Sequence, residues 1–438
     1  MITVNRQFTV MFAAPALPIP VLLYLLMVIL PVRFMAGPLQ ITSVRLYMAL
    51  LLIPLLISLF RHRPTMTDML LLLFVPWAGL AMWMNTPDQA IEHTGVMMLE
   101  MFCSYMLARR CITNQAQFVA LIKAVLLIVL LCLPLAIYET LTGTPLAINA
   151  IRAIPGITSV EVVTIDQRLG LERVQALFAH PIHFGLFCAS AVALGFVGLS
   201  DTLSPVARWI AMLLAVVTAF LALSSGAFLS VLIQLFLIGW AAFFGRSAQK
   251  WWWLAAAVLA AYIFVDIVSN RSPFRVFLSY ATYSAHNAYW RSIIFEWGMI
   301  NVWANPVFGL GLEEWVRPHF MYSGSMDNFW LALAVRYGVP GFALIAAGWG
   351  LALLRVARTN AAPHHLKMAW LYCMIGLTFT LCTVHVWTAI YSYCFFLLGA
   401  GQWMATANHQ TAPTAAPTSE PIGFTRQFQP QFQRPALS

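Results

Sequence analysis

Arginines in two polar stretches, and one aspartate that closes the second, are the residues here whose types could do chemistry. The first stretch, residues 140–176, holds Arg152, Arg168 and Arg173. The second, residues 270–327, holds Arg271, Arg275, Arg291 and Arg317 and ends on Asp327. Neither contains a lysine. A guanidinium is a planar fork of donors that matches phosphate oxygens two at a time, whereas an ammonium is a point charge. Arginine without lysine is therefore the choice expected where phosphate geometry matters; a solvated loop surface is the plainer account. Asp327 sits just before an apolar run. There a carboxylate accepts a hydroxyl proton as a general base, or caps the coming helix with help from Ser325. The dipole of that helix favours negative charge at the same place.

Other side chains near these stretches extend the set. His180 and His183 lie in His180-Pro181-Ile182-His183-Phe184-Gly185, where Pro181 suits a first helical turn because its missing N–H costs nothing. His183 reads as structural. His286 and His319 are fallback bases. Arg291 falls among Tyr289, Trp290 and Trp297, so anchoring at a membrane interface competes with anion binding for its role. Asn305-Pro306 with Gly309 and Gly311 marks a chain reversal. No Asp-x-Asp and no His/Asp pair at ligand spacing occurs in the two stretches, so no metal is called for, and no other cofactor either.

The elements that position these residues are membrane helices. The chain is 61% hydrophobic and 9% charged over 438 residues. A soluble domain carries roughly 25% charged residues, so this chain lacks the polar surface that water requires. The net charge of +9 is spread over short loops between apolar runs, which argues against a nucleic-acid partner and for membrane lipids. The cysteines lie in or beside apolar runs without a Cys-x-x-Cys pair and read as small apolar side chains. An all-α, polytopic fold is expected, with spans near 12–31, 43–60, 67–85, 91–109, 118–139, 177–199, 207–224, 226–245, 251–269, 328–354, 367–385 and 388–405. That is about twelve transmembrane helices at about 20 residues each. The first run has no cleavage-site pattern after it and is read as a retained helix.

Arg61, Arg63, Arg109, Arg110, Arg208, Arg246, Lys250, Arg355, Arg358 and Lys367 fall on one side of this scheme, with Arg33 and Arg45 as exceptions. The richer side is cytoplasmic by the positive-inside rule and holds both termini. The two arginine-bearing loops, 140–176 and 270–327, are then periplasmic. Residues 1–405 form one membrane-embedded domain, and 406–438, rich in Pro, Thr and Gln, a disordered cytoplasmic tail.

Taken in order, the motifs between 173 and 341 resemble the O-antigen ligase and O-antigen polymerase superfamily. They are Arg173 through His180-Pro181-Ile182 to Gly185, Ser224-Ser225-Gly226-Ala227, Arg291, Asn305-Pro306 with Gly309 and Gly311, and Asp327-Asn328. A helix ending Arg336-Tyr337-Gly338-Val339-Pro340-Gly341 closes the set. The resemblance implies a bacterial inner-membrane enzyme that transfers a glycan from a polyprenyl diphosphate at the periplasmic face. Ligases of this group usually carry His where this chain has Asp327, and often Glu where it has Arg336. The Asp-Asn-x-Trp-Leu pattern is closer to an exopolysaccharide-polymerase-like subset.

The function this implies is a glycan polymerase acting on undecaprenyl-diphosphate-linked oligosaccharide in exopolysaccharide or O-antigen biosynthesis. It would be a metal-independent, inverting glycosyltransferase. The first alternative is an O-antigen ligase, with lipid A core as acceptor in place of a glycan. The second, from another class, is a flippase for the same lipid-linked oligosaccharide, which would place its polar residues near the membrane midplane. In the enzyme reading Asp327 and Arg291 are catalytic. Arg173, His180, Arg275, Arg317, His319, Asn328 and Arg336 are substrate-binding. Arg336 lies about nine residues into an apolar run, roughly 13 Å deep at about 1.5 Å per residue, and its charge needs a partner: a diphosphate or Glu100.

Overall fold

The computed structural model describes residues 17–406 other than 38, 62, 165, 246, 271 and 281–284. The expected tail, Arg271 and the His286 side chain lie outside the described residues. The chain is predominantly helical. Among the described residues five helices are long and apolar enough to cross a membrane: Met66–Asn85, Gln115–Thr142, Ser225–Phe243, Lys250–Val268 and Phe329–Arg358. Ile19–Ile29, Ser43–Leu59, Pro181–Phe196 and Pro205–Leu221 are apolar but shorter. Lys250–Val268 makes the membrane reading concrete. It has 19 residues, and none of them is buried. Only Trp251 and Leu254 pack against the core, and an apolar helix left so largely uncovered calls for hydrocarbon around it.

Length and composition thus support a helical membrane protein, with five qualifying helices where about twelve spans were expected. Four of the other expected spans are the shorter apolar helices, and two are interrupted. The run read as 91–109 is a helix Pro87–Met97, a π-helical turn Met98–Cys103 and a helix Ser104–Cys111. The run read as 367–385 stops as a helix at Thr380, and residues 381–387 form a loop. The expected all-α class also gains a small antiparallel sheet, in which Val32–Ala36 pairs with Leu39–Thr42 and with Thr158–Ser159.

Ion pairs account for the arginines that sat on the unexpected side. Arg45 Nε lies 2.7 Å from the buried Glu100 Oε1, and Arg33 Nη2 lies 2.8 Å from Glu161 Oε1. Glu100 is therefore the counter-ion of Arg45, not of Arg336 as one sequence reading had it. At the opposite end of the bundle the buried Asp68 closes a capping box with Thr65, accepts from the Tyr105 hydroxyl at 2.6 Å and pairs with Arg109 at 2.7 Å. A buried carboxylate needs such company to remain charged.

The Phe329–Arg358 helix is broken where sequence predicts an unbroken span. Gly338 takes φ 71° and ψ 178°, and Pro340 follows. The break frees backbone groups, and the Asn305–Gly311 turn satisfies them. Leu310 N–H donates to Val335 O at 2.8 Å, and Gly311 N–H to Arg336 O at 3.0 Å. Val339 N–H donates to Pro306 O at 2.8 Å, and the Trp77 indole to Tyr337 O at 2.8 Å. Inside a membrane protein no other solvent would take these groups. Both motifs are thus halves of one joint. A Cβ at Gly338 would stand 2.0 Å from Val307 O, at a φ that L side chains avoid. Gly338→Ala is expected to lose about 2–5 kcal/mol of stability through overpacking and backbone strain, read as a fall in melting temperature in detergent.

Candidate functional site

The loop-rich end of the bundle holds a cavity of about 380 Å³, lined by Arg168, Arg173, His180, Ser224, Ser225, Arg291, Ser325, Asp327, His385 and Trp387 among others. Four residues singled out in the sequence meet here: Arg173, His180, Arg291 and Asp327. They come from three separate parts of the chain, and each has a visible support.

Glu139 positions Arg173. At the end of Gln115–Thr142 its carboxylate accepts Gln175 N–H at 2.8 Å and Ala176 N–H at 2.9 Å. These two bonds hold the backbone just after Arg173, including the left-handed φ of 50° at Ala176. Arg173 Nε is buried and makes no hydrogen bond among the described residues. Burial first, then the charge of Arg168, lowers the Arg173 guanidinium to about 10.

Arg291 reaches from Ala285–Ala304, and its Nη2 donates to Ser225 Oγ at 3.3 Å. Burial lowers its pKa to about 10, the Asp327 charge opposes that fall, and Arg168 adds to it. Arg168 Nη1 in turn donates to Leu223 O at 2.8 Å. The Ser224-Ser225 turn therefore braces two guanidiniums while Ser224 caps Ser225–Phe243. Arg168 adds to the lowering of both Arg173 and Arg291, and an anion among the three would relieve that repulsion.

His180 is the N-cap of Pro181–Phe196, lying in the loop before the helix begins, with Pro181 in the first turn. Its Nδ1 accepts Ile182 N–H at 3.1 Å, so the proton of the neutral ring sits on Nε2. Burial, then Arg173 and Arg168, lowers its pKa to about 4. With the folded value below the free value of about 6.5, neutral His180 contributes stability that is complete above pH 6.5 and is lost as pH falls toward 4. His180→Gln is expected to show a shallower decline in melting temperature across that window than the parent protein.

Asn328, not Asp327, caps the Phe329–Arg358 helix. Its Oδ1 accepts Leu331 N–H at 3.0 Å, and it is buried. Asp327 is half-buried, accepts from the Ser325 hydroxyl at 2.9 Å and lines the cavity. The capping role that competed for Asp327 in the sequence is thus filled by its neighbour, and the Asp327 carboxylate is left to face the cavity.

The remaining candidates lie elsewhere. Arg275 pairs with Glu296 at 3.1 Å and does not line the cavity. Arg317 pairs with Glu314 at 2.8 Å and donates from Nε to Met321 O, in the wall of a neighbouring cavity of about 220 Å³. His319 is exposed. Arg336 is half-buried and lines that cavity and a third one, of about 570 Å³. Among the described residues its guanidinium has no hydrogen bond or ion pair.

Sequence reasoning missed the cavity roles of Arg168 and His385. Arg168 was one loop arginine among several, and the one signal that could have found it was its place five residues before Arg173. His385 stands at the junction of the runs read as 367–385 and 388–405, which reads as a tight connection. Its ring stacks over Trp387 at 6.2 Å, and Trp387 in turn stands 4.1 Å from the buried His183. Among the described residues no group of three His, Cys, Asp or Glu is arranged to hold a metal.

A family model described as O-antigen ligase matches residues 210–346. The matched segment contains the Ser224-Ser225 turn, Arg291, the Asn305–Gly311 turn and Asp327; Arg168, Arg173 and His180 precede it. The match supports the resemblance to the O-antigen ligase and polymerase superfamily, and with it a membrane role in surface-polysaccharide biosynthesis. No curated protein matches the chain.

Proposed function

We propose that this chain is a glycan polymerase that elongates undecaprenyl-diphosphate-linked oligosaccharide at the periplasmic face of the bacterial inner membrane. The observation that carries the reading is one cavity in which Arg168, Arg173 and Arg291 stand together with Asp327. Three guanidiniums against one carboxylate leave a surplus of positive charge, which suits a diphosphate. Neutral His180 adds an Nε2–H donor. In the step proposed, Asp327 takes the proton of an acceptor hydroxyl, and that oxygen attacks the anomeric carbon. The bond from this carbon to the diphosphate oxygen breaks, and the diphosphate leaves with the electron pair into the arginine cluster. Attack opposite the leaving group inverts the anomeric centre. Charge that develops on the diphosphate is met by fixed cations in a partly dry site, where such contacts are strongest, so the step requires no metal.

An apolar groove nearby suits the polyprenyl tail. Of about 590 Å³, it runs between Ala285–Ala304 and Phe329–Arg358, lined by Phe295, Met299, Trp303, Trp330 and Phe342 among others. Asn328 stands in its wall, next in sequence to the cavity-facing Asp327. A lipid lying in this groove would present its headgroup to the arginines.

Polymerase ranks ahead of ligase on the Asp327-Asn328 pair. The deciding assay supplies purified protein in vesicles with lipid-diphosphate oligosaccharide. Longer glycan on the lipid supports the polymerase, and glycan on lipid A core makes it a ligase. Translocation with no new bond would leave the flippase and discard the enzyme.

A further inference from the structure

The 570 Å³ cavity beside the arginine cluster has no part in donor binding as described above, yet it is larger than the 380 Å³ arginine cavity and the 220 Å³ cavity. Its wall combines Gln89, Glu92, His93 and Arg336 with the rings of Tyr391 and Trp387. Hydroxyl-bonding groups set among aromatic faces suit a ligand with many hydroxyls on apolar ring faces, which is a saccharide. The volume lies within the roughly 300–1,000 Å³ typical of small-ligand sites.

Shared walls show where this space leads. Leu312, Ala332, Arg336 and His385 line both it and the 220 Å³ cavity. Ser325 and His385 then line both the 220 Å³ cavity and the arginine cavity. The path ends at Ser325, whose hydroxyl bonds Asp327. An inverting attack needs the acceptor hydroxyl to come to the base from the side away from the diphosphate, and the residues shared at this junction, Ser325 and His385, include none of the three arginines. Several polar groups along it lack intramolecular partners. Gln89 and Glu92 are exposed at its mouth, and their side chains make no hydrogen bond or ion pair among the described residues. The Arg336 guanidinium has none either, and His385 Nδ1 is buried without a partner. His93 is held at 2.6 Å from the Tyr337 hydroxyl, which fixes its ring in the wall.

We propose that the cavity of Gln89, Glu92, Arg336 and Trp387 receives the acceptor saccharide and delivers its hydroxyl past His385 to Asp327. This rests on the glycosyl-transfer reading above and adds where the second substrate sits. Because Gln89 and Glu92 are exposed and unbonded within the chain, truncating them does not disturb the fold. The Gln89→Ala/Glu92→Ala double variant is expected to raise the acceptor KM about tenfold, leaving the melting temperature and the affinity for a lipid-diphosphate analogue unchanged. Photoreactive acceptor oligosaccharide is expected to label segments 87–97 and 385–391 of the parent protein.

The assay has two acceptor arms, the growing lipid-linked glycan and lipid A core, and an acceptor effect in either supports the cavity. An unchanged acceptor KM, a shift in donor affinity instead, or labelling confined to other segments overturns the placement and leaves transfer standing. A parent protein that transfers to neither acceptor overturns the transfer reading and this proposal with it.

Discussion

Asp327→Asn is expected to lower glycan transfer by about two to four orders of magnitude, the usual worth of a positioned general base. Donor binding and melting temperature should stay close to those of the parent protein. The amide keeps the size of the carboxylate and keeps one oxygen to accept from the Ser325 hydroxyl, so the local geometry survives. It cannot accept a proton from an attacking hydroxyl. The reason this experiment is clean lies one residue further on. Asn328 supplies the cap of the Phe329–Arg358 helix, so changing Asp327 does not expose the first turn. If Asp327 acted through capping, the loss would be about 1 kcal/mol of stability with a proportionate fall in active protein. Asn328→Ala is the comparison: it should lower stability by that amount and affect transfer far less per folded molecule. Full activity in Asp327→Asn would remove the base assignment, and attention would move to the two histidines of the cavity wall, His180 and His385.

The sequence made the chemistry easier to read than its surroundings. Arg173, His180, Arg291 and Asp327 could be picked out because each is a polar residue beside an apolar run, where burial without purpose is costly. Their convergence in one cavity is a tertiary fact that spacing alone does not carry. The same reasoning selected Arg275 and Arg317, and for these the partner was local. Glu314 lies three residues before Arg317, and Glu296 faces Arg275 across a short helical hairpin. A loop arginine with a nearby acid looks the same in sequence whether it bonds that acid or a ligand. Helical character was legible throughout, because twenty apolar residues have few other options in lipid. Helix interruptions were not. The break at Gly338 is readable only when the Asn305–Gly311 turn is seen to complete it, some thirty residues away in sequence. Arg45 and Glu100, which troubled the topology and the depth of charge respectively, explain one another once paired.

Arg291 offers the sharpest test of the diphosphate reading, because its neighbours allow a prediction of sign as well as size. Arg291→Ala removes a guanidinium aimed at charge that grows on the leaving diphosphate. A fall of about 10²–10³ in kcat/KM for the lipid-linked donor is expected, as for loss of other preorganised donors to a developing anion. Arg291→Lys should recover little of it. An ammonium restores the charge but not the planar fork, and one that keeps the Ser225 bond has fewer donors left for oxygens. Stability should change little. The Arg291 charge is opposed first by burial and then by Arg168, while Asp327 supports it, so the alanine variant without donor should melt close to the parent. Inorganic pyrophosphate should raise the melting temperature of the parent protein and raise that of Arg291→Ala much less, since an anion stabilises only the state that binds it. Arg275→Ala, one helix away and tied to Glu296 outside the cavity, should leave both the kinetics and the pyrophosphate response near those of the parent. If the two arginines proved equal in these measurements, long-range charge on the outer loops would explain donor capture, and the cavity would lose its claim to the diphosphate.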